Sequence, residues 1–221
     1  MKEKGKKKNY IYTFGEEVAN ATTHGPMALL CLFALPFSAI WAYNHGGDKA
    51  VTATVGVSIF IISLFLMFLA STIYHVMRDS TPHKRVCKIL DHIFIYFAIA
   101  GSYTPIALYV VGGWKGILIV CLQWAMVLFG IFYKSLSKRS MPKVSLTIYL
   151  IMGWTLLFFL PLVIHNTNLI FMILLGAGGV LYSIGAGFYA MKNFKYHHMI
   201  WHLFINLAAV CHYIAIVFWI Y

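Results

Sequence analysis

The sequence predicts an all-α membrane protein: a seven-transmembrane helix bundle with its N-terminus in the cytoplasm and its C-terminus outside. Three observations predict this fold. Of the 221 residues, 61% are hydrophobic and only 10% are charged, whereas soluble domains average about 45–50% and about 25%. The apolar residues form stretches of roughly 20, the length at which a helix crosses about 30 Å of hydrocarbon. The basic residues lie in alternate connections between these stretches.

The apolar stretches are predicted to be helices rather than strands. They lack the alternation of polar and apolar residues typical of transmembrane strands, and a lone strand cannot satisfy its backbone in lipid. The stretches cover approximately residues 25–44, 52–75, 89–111, 116–133, 144–164, 169–190 and 200–220. We therefore expect a basic cytoplasmic segment over residues 1–24 and one transmembrane domain over residues 25–221.

The placement of basic residues predicts the orientation. All but two of the 17 Lys and Arg residues lie in the N-terminal segment or in the connections after spans two, four and six; the exceptions are Lys49 and Lys115. The positive-inside rule makes those connections cytoplasmic, which predicts a multi-pass protein of the plasma membrane. Basic loops also favour contact with anionic lipid headgroups. The net charge of +11 does not indicate nucleic-acid binding, because no basic folded module is present to carry it.

Ionisable residues at the cytoplasmic ends of three spans form the candidate site. The predicted topology brings His75, at the end of span two, to the same level as His198 and His202, at the start of span seven. Histidines four residues apart share one helix face and can ligate one metal ion. With His75 they would supply three nitrogen ligands and leave a position for water, as in catalytic zinc sites.

Two further residues are predicted to be catalytic. Asp91 is the one acidic residue of six that lies within a predicted span. We expect it to hold and deprotonate a metal-bound water, although it could instead pair with Lys88 or Arg85 at the interface. Ser71 lies one helical turn before His75, where it could hydrogen-bond Asp91 or stabilise an oxyanion.

Other polar residues are predicted to be structural. His24 is expected to cap span one, although it could approach the site, and Glu17 and Asn20 are expected to order the entry to that span. His212 follows His202 by ten residues, which places it about 15 Å deeper along a helix. Since that is too far to share a metal ion, His212 is predicted to be a buried, hydrogen-bonded histidine.

Span six carries small residues at three-to-four spacing. Such a stripe lets a neighbouring backbone approach closely. It predicts tight packing inside the bundle, with the seam of a homo-oligomer as the alternative. The stripe consists of Gly176, Gly179, Ser183, Ala186, Gly187 and Ala190.

Four stretches resemble the motifs of one family. Residues 17–25, which contain Glu17, Asn20 and His24, resemble its first motif, and Ser71-Thr-Ile-Tyr-His75 resembles its S-x-x-x-H motif. Residues 91–105 resemble the motif of its third span, and residues 198–204 resemble its last motif. On these motifs the chain resembles the haemolysin III family, the bacterial branch of the progestin and adipoQ receptor superfamily.

The resemblance implies a seven-helix bundle with its N-terminus inside and Zn²⁺ held by His75, His198 and His202. Asp91 would contact that zinc through water. The superfamily includes adiponectin receptors with ceramidase-like activity, which implies a lipid amide as substrate. Bacterial members are named for haemolysis and are linked to membrane-lipid homeostasis.

Three functions are consistent with the sequence. The first is a zinc-dependent hydrolase that acts on a lipid amide or ester. The second is a haemolysin-type pore or cytolysin in which zinc is structural. The third is a sensor or receptor of membrane state that recruits a partner through its basic loops. The outer half of each span is almost uncharged, which argues against a resting channel.

Overall fold

The computed structural model describes residues 10–136 and 142–221. Within them, seven helical segments are long and apolar enough to cross a membrane, and no strand occurs, so the predicted fold class is confirmed. The five lysines of the N-terminal segment, together with Lys138 and Arg139, lie outside the described residues, as does the side chain of Lys143. The orientation that these charges predict stays a prediction.

In the described part of the chain, eight α-helices build the seven spans, because α5 (Pro142–Trp154) and α6 (Leu156–His165) together form the fifth. A short 3₁₀ turn, Gly47–Lys49, precedes the second helix, and a π-helical turn, Ile106–Val111, continues the third. The helices are α1 (Phe14–His45), α2 (Ala50–Val76), α3 (Pro82–Pro105), α4 (Gly113–Leu136), α5 (Pro142–Trp154), α6 (Leu156–His165), α7 (Leu169–Ala190) and α8 (His197–Phe218).

Helix α1 begins well before the apolar run that predicted the first span. Thr13 caps it: the Thr13 hydroxyl accepts a hydrogen bond from the Glu16 backbone N–H at 3.3 Å, and the Glu16 carboxylate accepts one from the Thr13 N–H at 2.9 Å. This capping box satisfies backbone donors that the first turn would leave free. As a result Glu17, Asn20 and His24 are helical, and their spacing places them on one face of α1.

Helices α2 and α3 pack closely through small residues. A Cβ atom added to Gly101 of α3 would lie 2.5 Å from the Ser63 Cβ of α2, and one added to Gly56 would lie 2.8 Å from the Pro105 Cα. Glycine at these positions lets the two backbones approach. The contact therefore sets how the ends of α2 and α3, which carry site residues, lie relative to each other.

The fifth span is interrupted at Thr155, although the sequence indicated one apolar run there. Tyr103 of α3 occupies the interruption. Its hydroxyl donates to the Gly153 carbonyl and accepts from the Leu156 backbone N–H, both at 2.7 Å. A broken helix is tolerated at membrane depth when another part of the protein satisfies the freed backbone groups, and Tyr103 does so here.

The small-residue stripe of α7 makes the close contacts that its spacing predicted only in part. The tight positions are Gly178, against the His212 ring of α8, and Gly185, against the Trp201 ring. A Cβ atom at Gly176 or Gly187 would meet no heavy atom within 4 Å. Ala186 of the stripe is buried in the core, so the predicted packing is formed in part, but the rotation of the helix places a different pair of glycines against α8. The alternative, a homo-oligomer seam, stays a prediction.

Candidate metal centre

Three histidines from two helices come together at one end of the bundle. His75 lies in the last turn of α2, and His198 and His202 lie in the first two turns of α8. One ring nitrogen from each lies within 4.8 Å of the others. The residues are buried, with 3%, 8% and 2% of their surface exposed. The cluster could therefore bind a metal ion.

A carboxylate from α1 supports His75. The His75 Nδ1–H donates to Glu17 Oε2 at 2.5 Å, and the same carboxylate accepts from Lys84 Nζ at 2.5 Å. Asp79 also accepts from Lys84, at 2.9 Å. A carboxylate behind a histidine fixes the ring orientation and leaves Nε2 unprotonated, which is the usual arrangement behind a metal-ligating histidine.

The backbone of α1 supports His202 in a similar way. The His202 Nδ1–H donates to the Asn20 carbonyl at 3.2 Å, so its Nε2 is the nitrogen left to bind a ligand. The ring of His24 stacks on the ring of His202, with centroids 3.7 Å apart and planes 11° apart. His24 is thus part of the site rather than a cap of α1.

The donor atoms fit a metal that prefers imidazole, such as Zn²⁺. His75 Nε2 and His198 Nδ1 are buried without a hydrogen-bond partner in the described part of the chain. Buried polar atoms are nearly always paired, so orphaned ring nitrogens in one cluster are what a bound cation would satisfy.

Asp91 lines the cavity that His24, His198 and His202 also line, a space of about 310 Å³ that we call the polar cavity. Only 8% of the residue is exposed. Among the described residues, its carboxylate forms no ion pair with a lysine or arginine, and its nearest ionic contact is His92 Nδ1 at 3.5 Å. The alternative pairing with Lys88 or Arg85 is therefore not formed.

Ser71 lies in the same cavity, one turn before His75 on α2. Its hydroxyl is buried and has no hydrogen-bond partner in the described residues. The bond to Asp91 that the sequence allowed is not formed, so the hydroxyl remains able to bond a ligand.

The segment before α1 forms one wall of the polar cavity. The Tyr12 ring lies 5.3 Å from the His198 ring and 6.1 Å from the His75 ring. The Tyr10 hydroxyl donates to the Glu16 carboxylate at 2.6 Å. That bond raises the pKa of Tyr10, and burial raises the pKa of Tyr12. Both hydroxyls therefore stay protonated and neutral at physiological pH.

A second cavity of about 310 Å³ lies deeper, between α3, α5, α6, α7 and α8. We call it the apolar cavity because aliphatic and aromatic side chains make up most of its lining. It shares wall residues with the polar cavity, namely Met67, Ile95, Trp201 and Ile205. A ligand with a polar group at the histidines and a hydrocarbon chain would fit this pair of cavities, since binding sites of this size are mostly apolar with a few polar groups.

Sequence reasoning missed the roles of Glu17 and Lys84. The sequence predicts for Glu17 only a role in ordering the start of α1, and Lys84 is only one of the basic residues in the connection after span two. Glu17 of α1 forms an ion pair with Lys84 of α3 and accepts a hydrogen bond from His75 of α2. Three helices therefore meet at this carboxylate. A signal was present, because a carboxylate beside a long apolar run needs a buried partner.

The comparisons with known proteins show which family this chain belongs to. A family model described as "Haemolysin-III related" matches residues 12–213. The chain is 34% identical to "Hemolysin-3 homolog" of Bacillus subtilis (strain 168) over 95% of this chain and 96% of that protein. It is 38% identical to "Hemolysin-3" of Bacillus cereus over 93% and 92%.

A more distant relative is found among animal proteins. "Monocyte to macrophage differentiation factor" of Homo sapiens is 29% identical over 94% of this chain and 85% of that protein. The family model and the two bacterial relatives cover nearly the whole seven-span bundle. This chain therefore belongs to the haemolysin III family of multi-pass membrane proteins.

Proposed function

We propose that this protein is a zinc-dependent hydrolase of the plasma membrane that cleaves an amide or ester bond in a lipid. The observation that carries the proposal is a buried cluster of three histidines, two of which, His198 and His202, line a cavity together with Asp91 and Ser71. Ionisable residues at membrane depth are costly and are functional by default. A purely structural role would not require a cavity beside the histidines.

In this proposal His75, His198 and His202 would hold Zn²⁺. The metal, when bound, would lower the pKa of water toward about 7 and polarise the scissile carbonyl. Glu17 positions the His75 ring through the 2.5 Å bond to Nδ1. The Asn20 carbonyl positions His202 in the same way.

Asp91 transfers the proton, and Ser71 stabilises the negative charge that develops on the substrate. The Asp91 carboxylate accepts a proton as water attacks the carbonyl carbon, then gives that proton to the leaving amine or alcohol as the carbon–nitrogen or carbon–oxygen bond breaks. The Ser71 hydroxyl donates a hydrogen bond to the carbonyl oxygen as negative charge develops there. The products are a fatty acid and an amine or alcohol, so atoms and protons balance.

The apolar cavity supports a lipid as the substrate. Its position next to the histidines allows the hydrocarbon chain to lie between α3, α5, α7 and α8 while the polar bond meets the cluster. The same lining argues against a pore, because water and ions cross a membrane along polar surfaces. Because the Bacillus relatives are named hemolysins, lysis is the second candidate function.

The test is the metal content and lipid turnover of the purified protein. We expect His202→Ala to lose bound zinc and to lose at least about 100-fold in turnover of a fluorescent ceramide or fatty ester. His165→Ala is the matched control, because His165 ends α6, away from the cluster. Full turnover by His202→Ala, or by protein stripped of metal, would refute the hydrolase.

Lysis is tested on the same preparations. Dye leakage from liposomes that is equal for wild-type protein and His202→Ala, without lipid turnover in either, would support a cytolysin in which the metal takes no part in lysis. Leakage that appears only with turnover would be a consequence of hydrolysis.

A further inference from the structure

His212 is a polar residue of the apolar cavity that the proposed reaction does not use. It lies on α8, ten residues after His202, with 9% of its surface exposed. Its side chain forms part of the wall of that cavity. A histidine among apolar side chains at membrane depth requires an explanation.

The hydrogen bonding of His212 leaves one acceptor without a donor. Its Nε2 lies 3.2 Å from the carbonyl oxygen of Leu175. A carbonyl can only accept, so Nε2 carries the proton and Nδ1 is the bare nitrogen of a neutral ring. The Nδ1 atom is buried and has no hydrogen-bond partner among the described residues.

The surroundings of His212 hold its ring in place. A Cβ atom at Gly178 would collide with the Cδ2 and Nε2 atoms of the ring, so only glycine leaves room for that edge. The Tyr182 ring packs edge-on against the His212 ring at 5.4 Å. The ring is therefore held through one edge, and Nδ1 lies on the opposite edge.

Three hydroxyl groups in this wall already have partners. The hydroxyls of Ser102, Tyr103 and Ser183 each donate to a backbone carbonyl at 2.7 to 2.8 Å. The Nδ1 atom of His212 differs from them, because it is a fixed acceptor that lacks a donor. A buried acceptor of this kind is costly unless a donor arrives with the ligand.

We propose that His212 Nδ1 accepts a hydrogen bond from a hydroxyl group on the hydrocarbon chain of the substrate. This inference rests on the proposed hydrolase function and defines its substrate class as lipids with a hydroxylated chain. The ten residues between His202 and His212 correspond to about 15 Å along α8. With C–C bonds of about 1.5 Å and bond angles of about 111°, an extended saturated chain of roughly a dozen carbons covers that length. The hydroxyl therefore lies near the middle of a long acyl chain.

The test compares fatty acids that differ only in the hydroxyl. Zinc-loaded protein in detergent is titrated with octadecanoate, 12-hydroxyoctadecanoate and 2-hydroxyoctadecanoate, each displacing a fluorescent fatty acid. We expect 12-hydroxyoctadecanoate to bind about fivefold more tightly than either of the others, the gain from one neutral hydrogen bond. Equal affinities for the 2-hydroxy and 12-hydroxy acids would overturn the proposal without any variant.

His212→Leu then identifies the residue responsible. This change removes the acceptor and keeps a similar volume, and it should abolish the preference while zinc content stays the same. The ratio of the two affinities is compared between wild type and variant, because partitioning into detergent cancels in that ratio. An unchanged ratio would overturn the role of His212.

The outcomes separate this inference from the function on which it rests. If all three acids bind equally well, the chain-binding cavity stands and the hydroxyl preference is wrong. If none of them binds and no fluorescent lipid is hydrolysed, the lipid hydrolase itself is wrong.

Discussion

The inner and outer helices of the bundle differ in burial but not in hydropathy. Within the most apolar stretch of each span, 56% of α2, 61% of α3 and 50% of α8 are buried inside the protein, against 17% of the fifth span. Mean hydropathy does not follow this order, since α2 has 2.5 and the fifth span has 2.1. An apolar side chain is about as stable in lipid as inside the protein. Hydropathy therefore identifies the spans but does not show which of them are buried.

The positions of the site's polar residues, rather than hydropathy, distinguish the inner helices from the fifth span. The candidate ligands and Asp91 lie on the three most buried spans, and the first turns of α1 add Glu17 and Asn20. The fifth span contributes apolar walls to the cavity. The comparison indicates a packed group of helices that positions the chemistry and an outer helix that faces lipid. Substitutions in each region should therefore have effects of different size.

The largest expected effect after loss of a metal ligand is at Asp91. We expect Asp91→Asn to reduce lipid turnover by about 10²- to 10⁴-fold, the usual contribution of a general base, while zinc content is retained. Asp48→Asn, at the other end of the bundle in the Gly47–Lys49 turn, is the control. Turnover within a factor of a few of wild type in Asp91→Asn would remove Asp91 from the mechanism.

Glu17 should have an intermediate effect that appears in metal binding. We expect Glu17→Gln to weaken zinc binding by about 10- to 100-fold, because it removes the carboxylate that orients His75. Competition with a chelating dye measures this affinity. The matched control is Asp79→Asn, since Asp79 shares Lys84 with Glu17. Equal losses in both variants would assign the effect to Lys84 and not to His75.

Much of the fold could be predicted from the sequence because a membrane allows few solutions. Length and hydropathy were enough to find seven spans, and a spacing of four was enough to place His198 and His202 on one face. The pairing of Glu17 with His75 could not be predicted, since it depends on how α1 and α2 are rotated about their axes. The same unknown rotation put the α7 contacts at Gly178 and Gly185.

The interruption of the fifth span was also beyond sequence reasoning. Its partner, Tyr103, lies about 50 residues earlier, on another helix, and no local pattern links the two. Spacing along one helix is local information, whereas contacts between helices are not. The predicted site was consequently more complete for α8 than for α1.

The smallest expected effect tests the packing difference directly. Gly101 lies at the α2–α3 contact, where a Cβ atom would lie 2.5 Å from Ser63, while a Cβ atom at Gly153 of the fifth span would meet nothing within 4 Å. We expect Gly101→Ala to destabilise the protein by about 1–3 kcal/mol through overpacking, and Gly153→Ala to be neutral or slightly stabilising. Melting temperatures in detergent should fall by several degrees for the first variant only. Equal melting temperatures would mean that α2 and α3 can separate without cost, in which case tight packing would not explain why the site lies on the inner helices.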